Sequence, residues 1–445
     1  MSNTARHAPT IESLATETMQ HILLFAFSPF TLPKGTTDYA LMKRYAWFAS
    51  MARISRSWPA AVYPLLYKSV VLLTNRAASR FLRTLRHEPT LRAVVRVLVL
   101  PGWTGVDLEI HKTWSGPRQS VYRDIARLCT DVRTLAVGNA YRETVLSSKA
   151  PWINDIKDLR INIMTITGDC TVPRLPSLRI LRLYGPNKAL LTSVRVDFGP
   201  VGNLESLHLR SMVFGRTHYE AVLSLCTSLT TLMCTRVLVR TLPTGPPVFV
   251  SPSEWTLPLR RTLTTLSLSG CSPVRTLREL KMLTTLYVDI AALPTASGME
   301  GGAWLPESLV EVTITTAASQ NLQMKVASLF SPWDYARRAW EVIQSDSTRL
   351  PRLRTIRLQV DVYRESSIRT FTLCSFVLRQ LAQDRDRAFE MNLNIKFYRD
   401  GDSFDWPWPK FERPPRPSPL RRLSALLKGK NRQLFRISSS RDTEH

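Results

Sequence analysis

Acidic residues are scarce in this chain. Its 445 residues carry 60 Lys and Arg against 35 Asp and Glu, a formal net charge of +25 with a pI near 10.3. That imbalance favours acidic partners: nucleic acid, an anionic membrane surface or an acidic protein. The excess is spread along the chain as single arginines such as Arg179, Arg182, Arg354 and Arg357. Spread charge reads as a solvated face. No aromatic-interleaved basic motif of an RNA-binding module occurs.

Long apolar runs are missing as well. No stretch of about 18 apolar residues exists, so no membrane-spanning helix is expected. The apolar run 22–27 is too short for a signal peptide, and Glu12 and Glu17 precede it where positive charge belongs. These absences predict an intracellular protein, cytoplasmic or nuclear. The six cysteines form no C-x-x-C pair, which argues against a disulfide framework and for buried free thiols. The seven histidines show no H-E-x-x-H or paired-ligand spacing, so no metal is expected. Gly429-Lys430-Asn431 lacks the upstream glycine of a P-loop, and neither a G-x-S-x-G elbow nor a G-x-G-x-x-G after a strand is present. The expectation is a binding protein with no catalytic residue and no cofactor.

What the chain has in abundance is one short pattern. Residues 263–271 read L-T-T-L-S-L-S-G-C, the L-x-x-L-x-L-x-x-C signature of a leucine-rich repeat. Leu266 and Leu268 share a face because strand side chains alternate. Looser copies begin at Val95, Val132, Ile156, Leu178, Leu204, Leu229, Leu283, Leu309 and Leu353. Most are spaced at roughly 20 to 26 residues, with longer gaps before Leu135, Leu266 and Ile356. One such repeat cannot bury its own apolar face, so neighbours must stack. Leu98, Leu135, Leu159, Leu181, Leu207, Leu232, Leu266, Leu286, Val312 and Ile356 are then the inward residues of successive strands in one sheet. The Asn/Cys position holds Cys271 once but Met212, Val237 and Ala291 elsewhere, which predicts an irregular curvature. The alternative is a large α/β domain with parallel strands.

Two helical stretches precede the repeats. In residues 11–27, Met19, Ile22, Leu23 and Ala26 recur on one helix face, with Thr16 as the N-cap and Pro29 beyond the last turn. In residues 46–58, Phe48, Met51, Ile54 and Ser55 share a face that Trp58 extends, and Pro59 ends or bends it. A short helical turn at Pro64 then runs into a strand-like segment ending at Leu72.

This pair of segments resembles the F-box. Leu14, Glu17, Ile22 and Leu23 match the family's first helix, and Met51, Ile54, Arg56 and Trp58 its second; residues 63–70, Y-P-L-L-Y-K-S-V, look like the segment that follows the F-box in many fungal members. Ala15 replaces the usual proline, and the link 28–44 is longer than usual. The resemblance implies that Leu14, Ile22, Leu23, Ile54 and Trp58 lie in or beneath a surface that docks a Skp-family adaptor and its cullin complex. Without the resemblance, the same helices read as a cap on the first repeat.

Between the hexads, helical stripes are predicted at Phe81, Leu82 and Leu85, at Val121, Ile125, Leu128 and Cys129, and at Tyr219, Val222, Leu223 and Cys226. The segment between Leu232 and Leu266 holds five prolines, Pro243, Pro246, Pro247, Pro252 and Pro258, and reads as an extended insertion able to project from the binding face. Ser331-Pro332-Trp333-Asp334 starts a helix. Residues 366–390 form the longest helical pattern, and Met391–Phe397 alternates as the last strand. Residues 410–445 hold about ten Lys/Arg against about three acids, the profile of a disordered tail.

The chain therefore reads as an α/β protein: an irregular leucine-rich-repeat solenoid with a small N-terminal helical F-box-like domain. Residues 1–10 are expected to be disordered, 11–72 the F-box-like domain, 73–405 the solenoid and 406–445 the basic tail. The function expected is that of a substrate-recognition adaptor of an SCF-type ubiquitin ligase holding a target protein, an acidic one by charge. The alternative is a basic repeat scaffold that binds nucleic acid or an anionic membrane surface.

Overall fold

The central residues of the hexads form one continuous ladder. In the computed structural model Val70 pairs with Leu98 and Leu98 with Leu135. The register runs on through Leu159, Leu181, Leu207, Leu232, Leu266, Leu286, Val312 and Ile356 to Met391. Every member from Leu98 to Val312 is 0% exposed. A fully buried leucine contributes roughly 1.5 to 3 kcal/mol of transfer free energy, and the ladder runs through the middle of the main apolar core. The structure describes residues 15–26, 47–48, 50–54, 58–72, 74–100, 119–147, 149–163, 170–172, 174–185, 196–198, 202–241, 250–289, 292–293, 304–315, 350–362, 390–399 and 402–405. The expected helix start at 331–334, residues 366–389 of the helix expected at 366–390, the N-terminal residues 1–10 and the basic tail lie outside that set, and Glu390 opens a strand instead.

The strands are β1 (Ser69–Val71), β2 (Val97–Val99), β3 (Thr134–Gly138), β4 (Asp158–Asn162), β5 (Cys170–Val172), β6 (Ile180–Tyr184), β7 (Val196–Phe198), β8 (Ser206–Gly215), β9 (Thr231–Arg240), β10 (Thr265–Ser269), β11 (Thr285–Asp289), β12 (Glu311–Thr315), β13 (Thr355–Val362), β14 (Glu390–Arg399) and β15 (Asp402–Asp405). Among the described residues they make a 13-stranded sheet, in the order β1-β2-β3-β4-β6-β8-β9-β10-β11-β12-β13-β14-β15, and a small β5-β7 pair. The fold is α/β. All neighbours in the large sheet are parallel except β14 and β15. Parallel neighbours need a crossover of a dozen or more residues, and the inter-hexad segments supply it.

Two of the described helices precede β1, and the others lie in the crossovers. Helix α1 spans Thr16–Ala26, α2 Trp58–Lys68, α3 Asn75–His87, α4 Gln119–Leu128, α5 Asn139–Leu146, α6 Arg216–Ser224, and the single turn α7 Pro252–Trp255. Thr74 caps α3 by accepting a hydrogen bond from the Ala77 amide at 3.1 Å. The expected stripe of α3 is buried: Ala78, Phe81, Leu82 and Leu85. The stripe of α4 centres one residue later than expected. Tyr122, Ile125, Ala126 and Cys129 are 0% exposed, while Val121 and Leu128 pack partly buried at its flanks. Spacing i, i+3, i+4, i+7 from Tyr122 describes it; counting from Val121 undervalued the small Ala126. The stripe of α6 is as expected, with Tyr219, Val222, Leu223 and Cys226 buried.

Three expectations are corrected. The second N-terminal helix does not run to 58: residues 47, 48, 50 and 51 are helical, 52–54 form a turn, and Trp58 opens α2. Pro59 stands in the first turn of α2, where its missing N–H costs nothing. The proline-rich segment does not project over its described part. Val250, Ser251, Pro252, Ser253, Trp255, Thr256 and Leu259 are buried, and the Trp255 ring lies edge-on to Tyr219 at 5.1 Å. Met391–Phe397 is a strand but not the last one, since β15 pairs antiparallel with it. Strand β1 pairs with β2, and Val70 and Leu72 belong to the main core. Helix α5 has no counterpart in the sequence reading.

One column of the sheet departs from regular strand backbone. Gly185, Ser211, Arg236 and Gly270 each stand two residues after the second inward residue of their hexad. Ser211, Arg236 and Gly270 are left-handed, with φ of 55°, 55° and 61°. This turns β8 and β9 so that they resume pairing beyond it, Met212 with Val237 through Gly215 with Arg240. The next position is the poorly kept Asn/Cys site. There the Cys271 thiol approaches the Cys234 carbonyl at 3.6 Å and the Ser269 carbonyl at 3.7 Å.

Candidate functional site

Two regions position polar or exposed groups: the N-terminal helices and the face of the sheet opposite the ladder. The N-terminal helices have their own apolar cluster, Met19, Leu23, Phe48, Ala61, Val62 and Leu65, with Trp47, Met51, Ala52, Trp58 and Leu66 packed on it. Of the five residues assigned to the adaptor surface, Leu23 is 4% exposed and turned into this cluster. Trp58 is half-buried against the same cluster, and its indole N–H is buried without a hydrogen-bond partner. Ile54 is 57% exposed. Ile22 lies on α1, and Leu14 falls outside the described residues. Trp58 thus staples the helices to each other rather than to the first repeat.

On the open face of the sheet, residues i and i+2 of each strand stand side by side. Asp158 is held there by two arginines. Arg160 donates to its Oδ2 through Nη2 at 2.7 Å and Nε at 3.1 Å, and the Arg182 guanidinium lies 3.7 Å away. Its other carboxylate oxygen and the Arg182 Nε are buried without partners. The next strands bring Tyr184, His208 and Arg210 alongside. Burial raises the Tyr184 phenol above its ordinary value, while the guanidinium charges of Arg182, Arg160 and Arg210 pull it back. Ser206 Oγ lies 2.9 Å from His208 Nε2. Strand alternation alone brings that pair together, and the sequence reading, which found no pairing among its histidines, missed it. Further along, the face turns to hydroxyls: Thr231, Thr265 and Thr285 are in register. Next in that row is Glu311, whose carboxylate lies 3.1 Å from the Arg357 guanidinium on the following strand.

The entry edge of the same strands carries a basic column. Lys68, Arg96, Arg133, Lys157 and Arg179 follow one another, each amide donating to the preceding carbonyl at 2.8 to 3.0 Å. Acids interleave with it. Asp131 pairs with both Arg96 and Arg133, Asp155 lies 3.9 Å from Arg133, and Glu205 lies 3.0 Å from Arg179.

The described cysteines are not activated thiols. Cys129, Cys226, Cys234 and Cys271 are free and buried. Burial pushes the Cys129 and Cys226 thiols up to about 12 and Cys271 to about 11, and Cys234 is raised by burial too. These thiols stay protonated and inert near neutral pH. No group of three His, Cys, Asp or Glu able to hold a metal is found among the described residues, and no described helix is long and apolar enough to cross a membrane. A depression of about 540 Å³ lies against α6 and α7, lined by Arg216, Glu220, Glu254, Leu257, Arg260 and Arg261. Glu254 and Glu220 are both engaged there by Arg216, at 3.1 and 2.9 Å.

No family model matches the chain, and no curated protein shows significant similarity to it.

Proposed function

We propose that this chain is a substrate-recognition subunit of an SCF-type ubiquitin ligase. Residues 11–72 dock a Skp-family adaptor and, through it, a cullin complex. The repeats behind them, an irregular leucine-rich-repeat solenoid, hold a target protein of acidic character. The chain does no chemistry itself; it contributes proximity and orientation. One observation carries the reading: a small helical cluster with its own apolar centre stands ahead of a parallel sheet whose strands follow chain order. Stacked repeats of that kind present extended binding surfaces, and the α/β architecture agrees with it. Ile54 supports the docking role, because a large apolar side chain left 57% exposed on the helical cluster is free to enter an interface.

The test is capture of a recombinant Skp-family adaptor by the full chain. The reading expects capture by the wild type and its loss in Ile54→Arg, with circular dichroism and thermal midpoint unchanged. Leu23→Ala, by contrast, lowers the midpoint because its side chain is internal. A wild-type chain that captures no adaptor overturns the reading, as does an Ile54→Arg variant that captures it normally.

A further inference from the structure

Helix α3 turns a row of arginines to solvent. Its buried stripe, Ala78, Phe81, Leu82 and Leu85, fixes the opposite side, where Arg76, Arg80 and Arg83 follow at i, i+4 and i+7. All three are exposed. The helix contains no acid. Across one flank, α4 adds Arg123 and Arg127, also i and i+4 and also exposed. The single acid of α4, Asp124, is taken up by Arg86 at 3.2 Å. Arg76, Arg80, Arg83 and Arg123 have no ion-pair partner among the described residues. Across the other flank, Tyr63 on α2 is 45% exposed. It meets Tyr67 edge-on at 6.2 Å, and Tyr67 stacks on Phe81 of α3 at 6.1 Å.

We propose that this face, Arg76, Arg80, Arg83 and Arg123 with Tyr63 at its rim, binds the phosphate backbone of a single-stranded nucleic acid. The cations are all arginine, whose planar fork matches phosphate oxygens two at a time. The row from Arg76 to Arg83 is about 10 Å long, so its three guanidinium groups can follow a backbone past more than one phosphate. An exposed aromatic beside a basic track is how single strands are held, the base stacking while the backbone is neutralised. An anionic membrane fits less well. Membrane-surface helices bury an apolar face in the bilayer, and α3 and α4 expose no large apolar side chain. The basic column at the strand edge fits less well too, because Asp131, Asp155 and Glu205 already neutralise it. This inference stands apart from the adaptor reading and shares none of its five residues.

The experiment is fluorescence anisotropy of a labelled single-stranded oligonucleotide with the full chain, titrated from about 50 to about 200 mM salt. A triple variant, Arg76→Gln/Arg80→Gln/Arg83→Gln, is compared with Arg260→Gln/Arg261→Gln/Arg278→Gln, which removes the same charge from exposed positions elsewhere. The expected result is binding by the wild type and by the second triple. The first triple loses tenfold or more in affinity, and its log–log salt slope falls by about 2, at about 0.7 per lost phosphate contact. Tyr63→Ala weakens binding without changing the slope. Circular dichroism of each variant matches the wild type, since every changed side chain is exposed. The proposal is overturned if the wild type does not bind, if both triples lose affinity equally, or if vesicles rich in an anionic lipid bind through the same arginines while the oligonucleotide does not.

Discussion

A β-carbon on Gly185 would lie 2.1 Å from the carbonyl oxygen of Ser211. The two residues occupy the same column of neighbouring strands, and the Gly185 amide donates to the Arg210 carbonyl at 2.7 Å. That short approach is compatible only with a residue lacking a side chain, because the obstacle is backbone and cannot rotate away. Gly185→Ala should therefore destabilise the chain by about 1 to 3 kcal/mol, the range for overpacking a filled site. Gly202→Ala is the control, since its nearest neighbour would be the Thr227 hydroxyl at 3.9 Å. Urea melts showing equal midpoints for the two variants would refute the column described above.

Leu266 sits mid-ladder, 0% exposed, between Leu232 and Leu286. Leu266→Ala should lower stability by about 2 to 5 kcal/mol. A loss under about 1 kcal/mol, measured by the same melts, would mean that the ladder is not continuously packed there.

The buried thiols make a pH prediction. A thiol is free to ionise in the unfolded chain above about 8.5, whereas Cys129 in the fold holds its proton to about 12. The unfolded state then binds fewer protons than the native one between these values, so stability falls as pH rises through that window. By pH 10 the loss from one such thiol is about 2 kcal/mol. Replacing Cys129 with Ala should flatten the decline between pH 7 and 10 by roughly that amount, whatever its effect at pH 7. At pH 8 the four buried thiols should react with an aromatic disulfide reagent only after denaturant is added. Rapid labelling of Cys129 in the native protein would contradict its burial.

The ladder was legible from residue spacing because each repeat solves a local problem. Alternation puts Leu266 and Leu268 on one face, and that face has no other place to go than against the next copy. The same reasoning places the stripes of α3 and α6 and the strand at Met391. It fails where small or punctuating residues decide. Ala126 was worth more than its size suggested, and Pro59 opened a helix it was expected to end. Pro252 and Trp255 entered the core because Tyr219, more than thirty residues earlier in sequence, offered a ring to pack against.

The candidate surfaces divide in the same way. The arginine row on α3 was readable beside its apolar stripe, since both follow from one helical period, but spread charge concealed it. Sequence alone determined the α/β class, the strand register and which leucines face inward, for these depend on neighbours at a fixed repeat distance. Only the tertiary structure decided which charges meet. Lys68, Arg96, Arg133, Lys157 and Arg179 each stand just before one of five neighbouring strands, Asp158 is shared by arginines of two, and Trp58 turns its indole inward while Ile54 faces solvent. Long-range electrostatics and the choice between an inward and an outward face depend on where segments cross, and no local period encodes that.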